Sequence, residues 1–166
     1  MVKQVNSLSW RVWVNTLSRQ TNTKTLHFVL LAIFTFGIYN VMWLYRNTPK
    51  IEELTQQKIM PDSGIFAIAI LLGLNGALSN GGKSLEFFAL ILLVVANILY
   101  IVWSFSAKKA LEAYAIRNFK MDLRLNSFYT FFLTIFYINF SINSLEENYQ
   151  RKLALEGSAK TTPLQP

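Results

Sequence analysis

The chain contains no cysteine and only one histidine, His27. Without cysteine it cannot form disulfides, thiolate zinc sites or iron–sulfur clusters, and it offers no cysteine nucleophile. The sequence also lacks the G-x-S-x-G, H-E-x-x-H and phosphate-loop spacings that mark common catalytic sites. A lone histidine at the start of an apolar run is a poor basis for a metal site. We therefore expect no cofactor, no bound metal and no enzymatic activity.

Charged residues are scarce as well, at 15% of the chain against about 25% in typical soluble domains. Hydrophobic residues make up 52%, with a mean hydropathy of +0.31, and they are gathered in blocks at 26–45, 65–78, 85–107 and 128–142. This pattern predicts an integral membrane protein. The net charge of +7 fits the excess of Lys and Arg in cytoplasmic loops. No recognisable nucleic-acid module occurs, so we expect no nucleic-acid partner.

The four blocks differ in their ability to cross a bilayer, which takes about 20 apolar residues in a helix. The block at 85–107 is long enough without argument, and the second block reaches a sufficient length if it is extended to 64–80. The block at 128–142 is too short, and the first block is interrupted by Gly37. Four full spans and two spans with two re-entrant hairpins are both open on length alone.

The distribution of Lys and Arg decides between these topologies. Four full crossings would place 8 basic residues on each side of the membrane, whereas two crossings with two re-entrant hairpins place 15 on one side and Lys83 alone on the other. The positive-inside rule favours the second arrangement. We predict an all-α integral membrane protein in which two transmembrane helices form a hairpin, flanked by two re-entrant helical hairpins and amphipathic surface helices on the cytoplasmic side.

The bend of the first hairpin is placed at Gly37, because glycine reaches backbone angles that other residues avoid. A bend leaves backbone N–H and C=O groups without their helical partners, and in hydrocarbon each unpaired group is costly. Polar side chains near the bend could form hydrogen bonds with these groups. The segment 35–40 resembles 134–139, which suggests a second hairpin of the same kind. The candidate hairpin residues are Gly37, Tyr39, Asn40, Trp43, Arg46, Tyr137, Asn139 and Asn143.

Helix-start signals divide the rest of the chain. Thr48 followed by Pro49 predicts the start of one surface helix, a capping box at Ser144 predicts another, and Gly157 is a plausible helix stop. Trp10 and Trp13 fall on one helical stripe and predict an amphipathic segment anchored at the lipid interface. The predicted units are an N-terminal cytoplasmic segment 1–25, a membrane domain 26–156 and a disordered tail 157–166. The membrane domain is predicted to contain, in order, a re-entrant hairpin at 26–45, a surface helix at 48–60, crossing helices at 64–80 and 85–107 (the latter continuing to about 119), a re-entrant hairpin at 128–142 and a surface helix at 144–156.

The crossing helices carry two candidate features. Ala69, Gly73 and Ala77 recur every four residues, a spacing that lets another helix approach closely in a membrane. Asn75 and Asn97 are the polar residues placed most clearly inside the apolar blocks. They are interpreted either as a pore lining or, with better support, as interhelical hydrogen-bonding groups.

One stretch resembles a known family. The residues that carry the resemblance are Phe36-Gly37-Ile38-Tyr39-x-x-x-Trp43-x-Tyr45-Arg46, followed by Glu52-Glu53. This run is similar to a bacterial membrane family known only as domain of unknown function 4234, and the likeness extends loosely over 25–150. The resemblance implies a multi-pass protein of the bacterial inner membrane, and the charge count places both termini in the cytoplasm. It implies no activity and no site residues.

Three functions are therefore considered. The first is a non-enzymatic, homo-oligomeric scaffold that interacts with lipids and shapes the membrane, because two hairpins on one side add area to one leaflet. The second is an oligomeric ion or small-solute channel lined by the second block. The third is an accessory subunit of a larger membrane complex. The expected partners are membrane phospholipids, further copies of the chain and other membrane proteins.

Overall fold

The computed structural model describes residues 25–119 and 122–160, and within them the chain is helical, with no strand. The fold class is thus all-α. The helices differ widely in length, and the other helices pack mainly against the longest. The helices are α1 (Thr25–Phe34), α2 (Ile38–Thr55), α3 (Asp62–Leu78), α4 (Lys83–Phe119) and α5 (Ser127–Lys160).

Helix α4 is the framework of the fold, since α2, α3 and α5 all pack against it. Its 37 residues correspond to about 55 Å at 1.5 Å per residue. Within the described part of the chain it is the one helix both long and apolar enough to cross a membrane, and only 17% of its most apolar stretch is buried by the protein. The apolar half of α4 therefore faces outward.

Helix α3 runs antiparallel to α4 after a turn in which Gly82 has φ 90°. Ile65 and Ile68 are the buried residues of α3. Nearer the turn, the Asn75 Nδ2 group donates to the carbonyl oxygen of Ala89 at 2.8 Å. The two helices therefore form an antiparallel pair along the apolar half of α4.

Helices α1 and α2 form a first chain reversal. The rings of Phe28 and Trp43 stack with centroids 5.2 Å apart, whereas one continuous helix would separate them by about 22 Å. The turn between them contains Phe36 at φ 49° and Gly37 at φ 86°. The Thr35 hydroxyl accepts the backbone N–H of Tyr39 at 3.0 Å, which satisfies one donor at the new helix end.

A second reversal interrupts α5. Thr134 has φ 41° and ψ −117°, so two helical segments meet there at a sharp break. The chain turns back far enough for the Tyr137 hydroxyl to accept the backbone N–H of Asn126 at 3.0 Å. The Phe136 ring then lies 4.9 Å from the ring of Phe28, so the two reversals touch each other.

Contacts with α4 fix the depth of both reversals. Trp103 is fully buried, touches the ring of Trp43 and donates from Nε1 to the Thr48 hydroxyl at 2.9 Å. From that level, Gly37 lies about 12 Å toward the start of α4, whereas Lys83 lies about 30 Å away. The first reversal thus ends about halfway along the apolar part of α4.

The second reversal ends closer to the charged end of α4. The Lys108 ammonium group donates to the Ser127 hydroxyl at 2.6 Å, and Thr134 is seven residues further, or about 10 Å along a helix. Phe136, two residues after Thr134, packs against the ring of Phe28, and Phe28 in turn stacks on the ring of Trp43. Both breaks therefore lie beside the apolar part of α4, between the levels of Lys83 and Lys108.

The predicted surface helix at 48–60 is wrong in its start and its end. Helix α2 begins at Ile38, runs through Pro49 and ends at Thr55. Leu44, Thr48 and Ile51 are buried along one continuous face on both sides of the proline. Burial of this stripe outweighs the local start signal, which is the usual outcome when tertiary packing competes with propensity.

The predicted surface helix at 144–156 and the tail at 157–166 need a similar correction. The Ser144 hydroxyl donates to the Phe140 carbonyl within one helix instead of capping a new one. Helix α5 continues past Gly157 to Lys160, because a single glycine in a helix costs only about 1 kcal/mol. The predicted N-terminal segment at 1–24, with Trp10 and Trp13, and the tail from 161 onward lie outside the described residues.

Candidate functional site

A groove lies between the first half of α2, the length of α3 and the middle of α4, and it has a volume of about 790 Å³. We call it the α2–α3 groove. Its lining is almost entirely apolar, and Asn75 supplies the one amide side chain among its residues. The residues used below are Phe36, Met42, Tyr45, Phe66, Gly73 and Gly76.

The groove exists because the first reversal is short. Helix α2 begins only at Ile38, about halfway along the apolar part of α4, so the second half of α3 has no neighbour on that side. A Cβ atom added at Gly73 or at Gly76 would contact nothing within 4 Å. Phe36, at the tip of the reversal, is 96% exposed and stands at the groove wall.

The polar end of the groove is closed by aromatic rings and flanked by basic groups. The rings of Tyr45 and Phe66 lie 5.8 Å apart, and Arg46 follows directly as an exposed residue. Partial burial and the nearby Arg46 guanidinium lower the pKa of Lys50, which lies one helical turn further on. This end of the groove therefore carries positive potential next to an apolar cavity.

The predicted residues of the first hairpin are brought together by α1 and α2. The Tyr39 ring packs edge-on against Phe28 at 5.6 Å, and Trp43 stacks on the other side of the same ring. Asn40 Oδ1 and Trp43 Nε1 are buried and have no hydrogen-bond partner among the described residues. These two side chains therefore do not satisfy the turn's backbone; the Thr35 hydroxyl does.

The predicted residues of the second hairpin fulfil different roles. Tyr137 anchors the loop before the break through its hydroxyl group. Asn139 is fully buried and donates from Nδ2 to the Thr25 hydroxyl at 3.3 Å, which ties the second reversal to the start of α1. Asn143 is half-buried on the same helix. Asn139 thus connects elements more than one hundred residues apart in sequence.

The small-residue face of α3 does not mediate the packing of α3 on α4. Ala77 is exposed, Gly73 has empty space beside it, and Ala69 is half-buried in the groove wall. The buried side chains of α3 are those of Ile65 and Ile68. Of the two amides, Asn75 bonds across to α4, whereas Asn97 is exposed and donates to the Leu93 carbonyl of its own helix at 2.8 Å.

A network at the charged end of α4 was not predicted. Arg117 donates to the Thr55 carbonyl at 2.7 Å, at the end of α2, where a cation is favoured by the helix dipole. Glu112 accepts the Leu125 N–H at 2.7 Å and lies 3.9 Å from Lys108.

Glu52 accepts the N–H groups of Ile59 and Met60, 2.7 and 3.2 Å away. The scarcity of acidic residues, 9 in the chain, was the signal that could have drawn attention to them.

The described residues contain no cluster of three His, Cys, Asp or Glu side chains that could hold a metal ion. His27 is exposed at the start of α1. The arrangement as a whole offers an apolar groove with a basic edge.

Comparison with curated proteins and with solved structures gives no match. A family model does match, that of a domain of unknown function, DUF4234, over residues 23–113. The matched part contains the first reversal, α3 and most of α4, including the α2–α3 groove. It ends before the second reversal, so the looser likeness seen up to residue 150 lies outside it. Because the match covers more than half of the chain, the protein belongs to the DUF4234 family.

Proposed function

We propose that the protein is an integral membrane scaffold that interacts with lipids and widens one leaflet of the bilayer. Helices α3 and α4 cross the membrane in this proposal. The two reversals enter from the side that holds the charged half of α4, reach the middle of the bilayer and return. The protein carries out no chemistry and acts by its shape.

The depth of the two reversals is the observation that supports this proposal most directly. The break at Gly37 lies about 20 Å and the break at Thr134 about 10 Å from the level of Lys108, where α4 becomes charged, while the hydrocarbon core is about 30 Å thick. Helical mass is therefore concentrated beside one half of α4. The other half of α4 is accompanied by α3 alone.

The exposure of the reversal tips gives independent support. Phe34 is 79%, Phe36 96% and Ile38 72% exposed, and Phe131 and Phe132 are exposed beside the second break. Contiguous apolar surface of this kind is rare on soluble monomers and common where a protein meets lipid or a partner. Hydrocarbon around both tips would make their exposure favourable.

The positions of the charges agree with the same orientation. Lys108, Glu112 and Arg117 lie on the second half of α4 with the loops that they bind, and Lys83 lies alone at the opposite end. An excess of basic residues marks the cytoplasmic side of a membrane protein. In this proposal the reversals therefore occupy the cytoplasmic leaflet of a bacterial inner membrane.

An accessory-subunit role is the second candidate, and the exposed small side chain of Ala77, outside the groove, favours it. Small residues left open on a crossing helix are common sites of helix association. The channel hypothesis gains less support, because Asn75 already bonds to α4 and Asn97 to its own helix.

Cysteine labelling tests the topology cleanly, because the native chain has no cysteine. Single variants Gln56→Cys, Ser127→Cys, Asn80→Cys and Phe36→Cys would be treated with a membrane-impermeant maleimide in intact and in opened cells. We expect Gln56 and Ser127 to react from the cytoplasm, Asn80 from the opposite side, and Phe36 from neither. Labelling of the Gln56 variant from the side of Asn80 would mean that the first block crosses the membrane.

The scaffold role is tested by reconstitution into large vesicles at increasing protein-to-lipid ratios, with vesicle curvature measured by electron cryomicroscopy. The wild-type protein is expected to produce smaller or tubular vesicles. A double variant, Phe131→Ser with Phe132→Ser, reduces the apolar volume near the second tip and is expected to weaken the effect, while Ala77→Ser on a crossing helix leaves it unchanged. Curvature that is identical for protein-free and protein-loaded vesicles would contradict the proposal.

A further inference from the structure

We propose that the α2–α3 groove binds one acyl chain of an anionic phospholipid whose phosphate group is held by Arg46. The inference rests on the membrane placement proposed above and assigns a specific lipid site to it. It commits to a phospholipid of the leaflet on the charged side of α4. A second copy of the chain is the alternative occupant, and the test below separates the two.

The dimensions of the groove fit such an occupant. On α3 its lining extends from Ile65 to Gly76, which is about 17 Å along a helix axis. Half of the hydrocarbon core is about 15 Å thick, so an acyl chain about as long as one leaflet is deep fills the groove when its phosphate lies at the level of Arg46 and its end passes the middle of the bilayer. Its volume of about 790 Å³ lies in the ordinary range of small-molecule sites, about 300–1,000 Å³.

The basic edge of the groove supplies the charge complementarity. Arg46 is exposed directly after the groove residue Tyr45, and no described acidic side chain lies within ion-pair distance of it. Lys50 lies one turn further, where partial burial and the nearby Arg46 charge lower its pKa. A guanidinium group is well suited to a phosphate, because its parallel N–H groups can bind two oxygens at once.

The walls of the groove favour a thin occupant over another helix. Gly73 and Gly76 line the groove together with the larger side chains of Phe36, Met42 and Phe66. A helix with its side chains is about 10–12 Å across, and these side chains would keep its backbone from approaching the glycines. A single chain of methylene groups can enter between them and fill the space that the short first reversal leaves open.

The experiment uses the full-length protein in nanodiscs that contain phosphatidylglycerol and phosphatidylethanolamine in equal amounts. Bound lipid after release into mild detergent is counted by native mass spectrometry. Gly73→Leu fills the groove, and Ala77→Leu, on the same helix but outside the groove, is its control. Arg46→Gln removes the phosphate contact, and Lys83→Gln, at the opposite end of α4, is its control.

We expect one tightly bound phosphatidylglycerol per wild-type protomer. Gly73→Leu should lower its occupancy about tenfold, which corresponds to about 1.4 kcal/mol, and Ala77→Leu should leave it unchanged. Arg46→Gln should remove the preference for phosphatidylglycerol over phosphatidylethanolamine, and Lys83→Gln should retain it.

Two results would overturn the inference. One is lipid retention that is equal for Gly73→Leu and Ala77→Leu. The other is a wild-type dimer that Gly73→Leu converts to a monomer without loss of lipid, which would assign the groove to a second copy. Neither result affects the cysteine-labelling pattern or the vesicle curvature, so the site and the scaffold role can fail separately.

Discussion

The two chain reversals have the same outline but are built from different parts. The first turns at Gly37, a residue that adopts φ 86° without steric cost, and lies inside the region matched by the family model. The second turns at Thr134, where φ 41° and ψ −117° are unfavourable for any residue with a Cβ atom, and lies beyond that region. One reversal is therefore encoded locally, and the other is imposed by its surroundings.

The surroundings of the second reversal explain how it holds an unfavourable backbone. Three contacts fix the start of α5 before the break: Lys108 to the Ser127 hydroxyl, Glu112 to the Leu125 N–H, and Tyr137 to the Asn126 N–H. The first reversal relies instead on its own Thr35 hydroxyl. Local strain of about 1–3 kcal/mol persists only where neighbouring structure enforces it. The difference teaches that similar shapes need not share a mechanism.

The largest expected effect comes from removing the side chain that both reversals share. Phe28 is fully buried and touches Tyr39, Trp43 and Phe136, so Phe28→Ala should lower the free energy of unfolding by about 3 kcal/mol. The control is Phe34→Ala on the same helix, 79% exposed, with an expected change below about 0.5 kcal/mol. Unfolding in mixed micelles with increasing dodecyl sulfate measures both, and equal effects would mean that the reversals do not pack together.

A second, smaller effect should fall on the second reversal alone. Glu112→Ala removes the acceptor of the Leu125 N–H and should cost about 2 kcal/mol, as hydrogen bonds to charged groups do. Hydrogen exchange should become faster over residues 123–137 and remain unchanged over 28–44. Glu53→Ala, an exposed carboxylate on α2, is the matched control. Faster exchange at both reversals would show that they are coupled more tightly than their separate anchors suggest.

Some features of the structure could be predicted from the sequence, and others could not. The all-helical class, the long apolar helix and the family follow from composition, from one uninterrupted apolar block and from the run around Trp43. The helix boundary at Pro49 was misplaced because burial continues past the proline, and the boundary at Ser144 was misplaced because its hydroxyl group bonds back within one continuous helix. The groove could not be predicted, since it depends on how deep the first reversal reaches, and depth is a tertiary property fixed by Trp103 and Thr48.

Removing the glycine of the first turn and introducing a glycine into the second should change the stability of the protein in opposite directions. Gly37→Ala places a Cβ atom at φ 86° and should destabilise the protein by about 1 kcal/mol. Thr134→Gly relieves the unfavourable angles and should stabilise it by about 1 kcal/mol, after the greater flexibility of glycine in the unfolded chain is deducted. The same micelle titration compares them. Destabilisation by both substitutions would show that Thr134 contributes contacts that outweigh its backbone strain.

The two threonines give the finest test, because they occupy matching places in the sequence repeat and only one has a hydrogen-bonding role in the described structure. The Thr35 hydroxyl donates to the Leu31 carbonyl at 2.7 Å and accepts the Tyr39 N–H at 3.0 Å. Thr35→Val keeps the shape but removes both bonds, and should cost about 1 kcal/mol, as the loss of a helix cap does. Thr134→Val should change stability by less than about 0.5 kcal/mol. A cost at Thr134 equal to that at Thr35 would mean that the second reversal, too, is capped by its own side chain, and the contrast between local and imposed turns would fail.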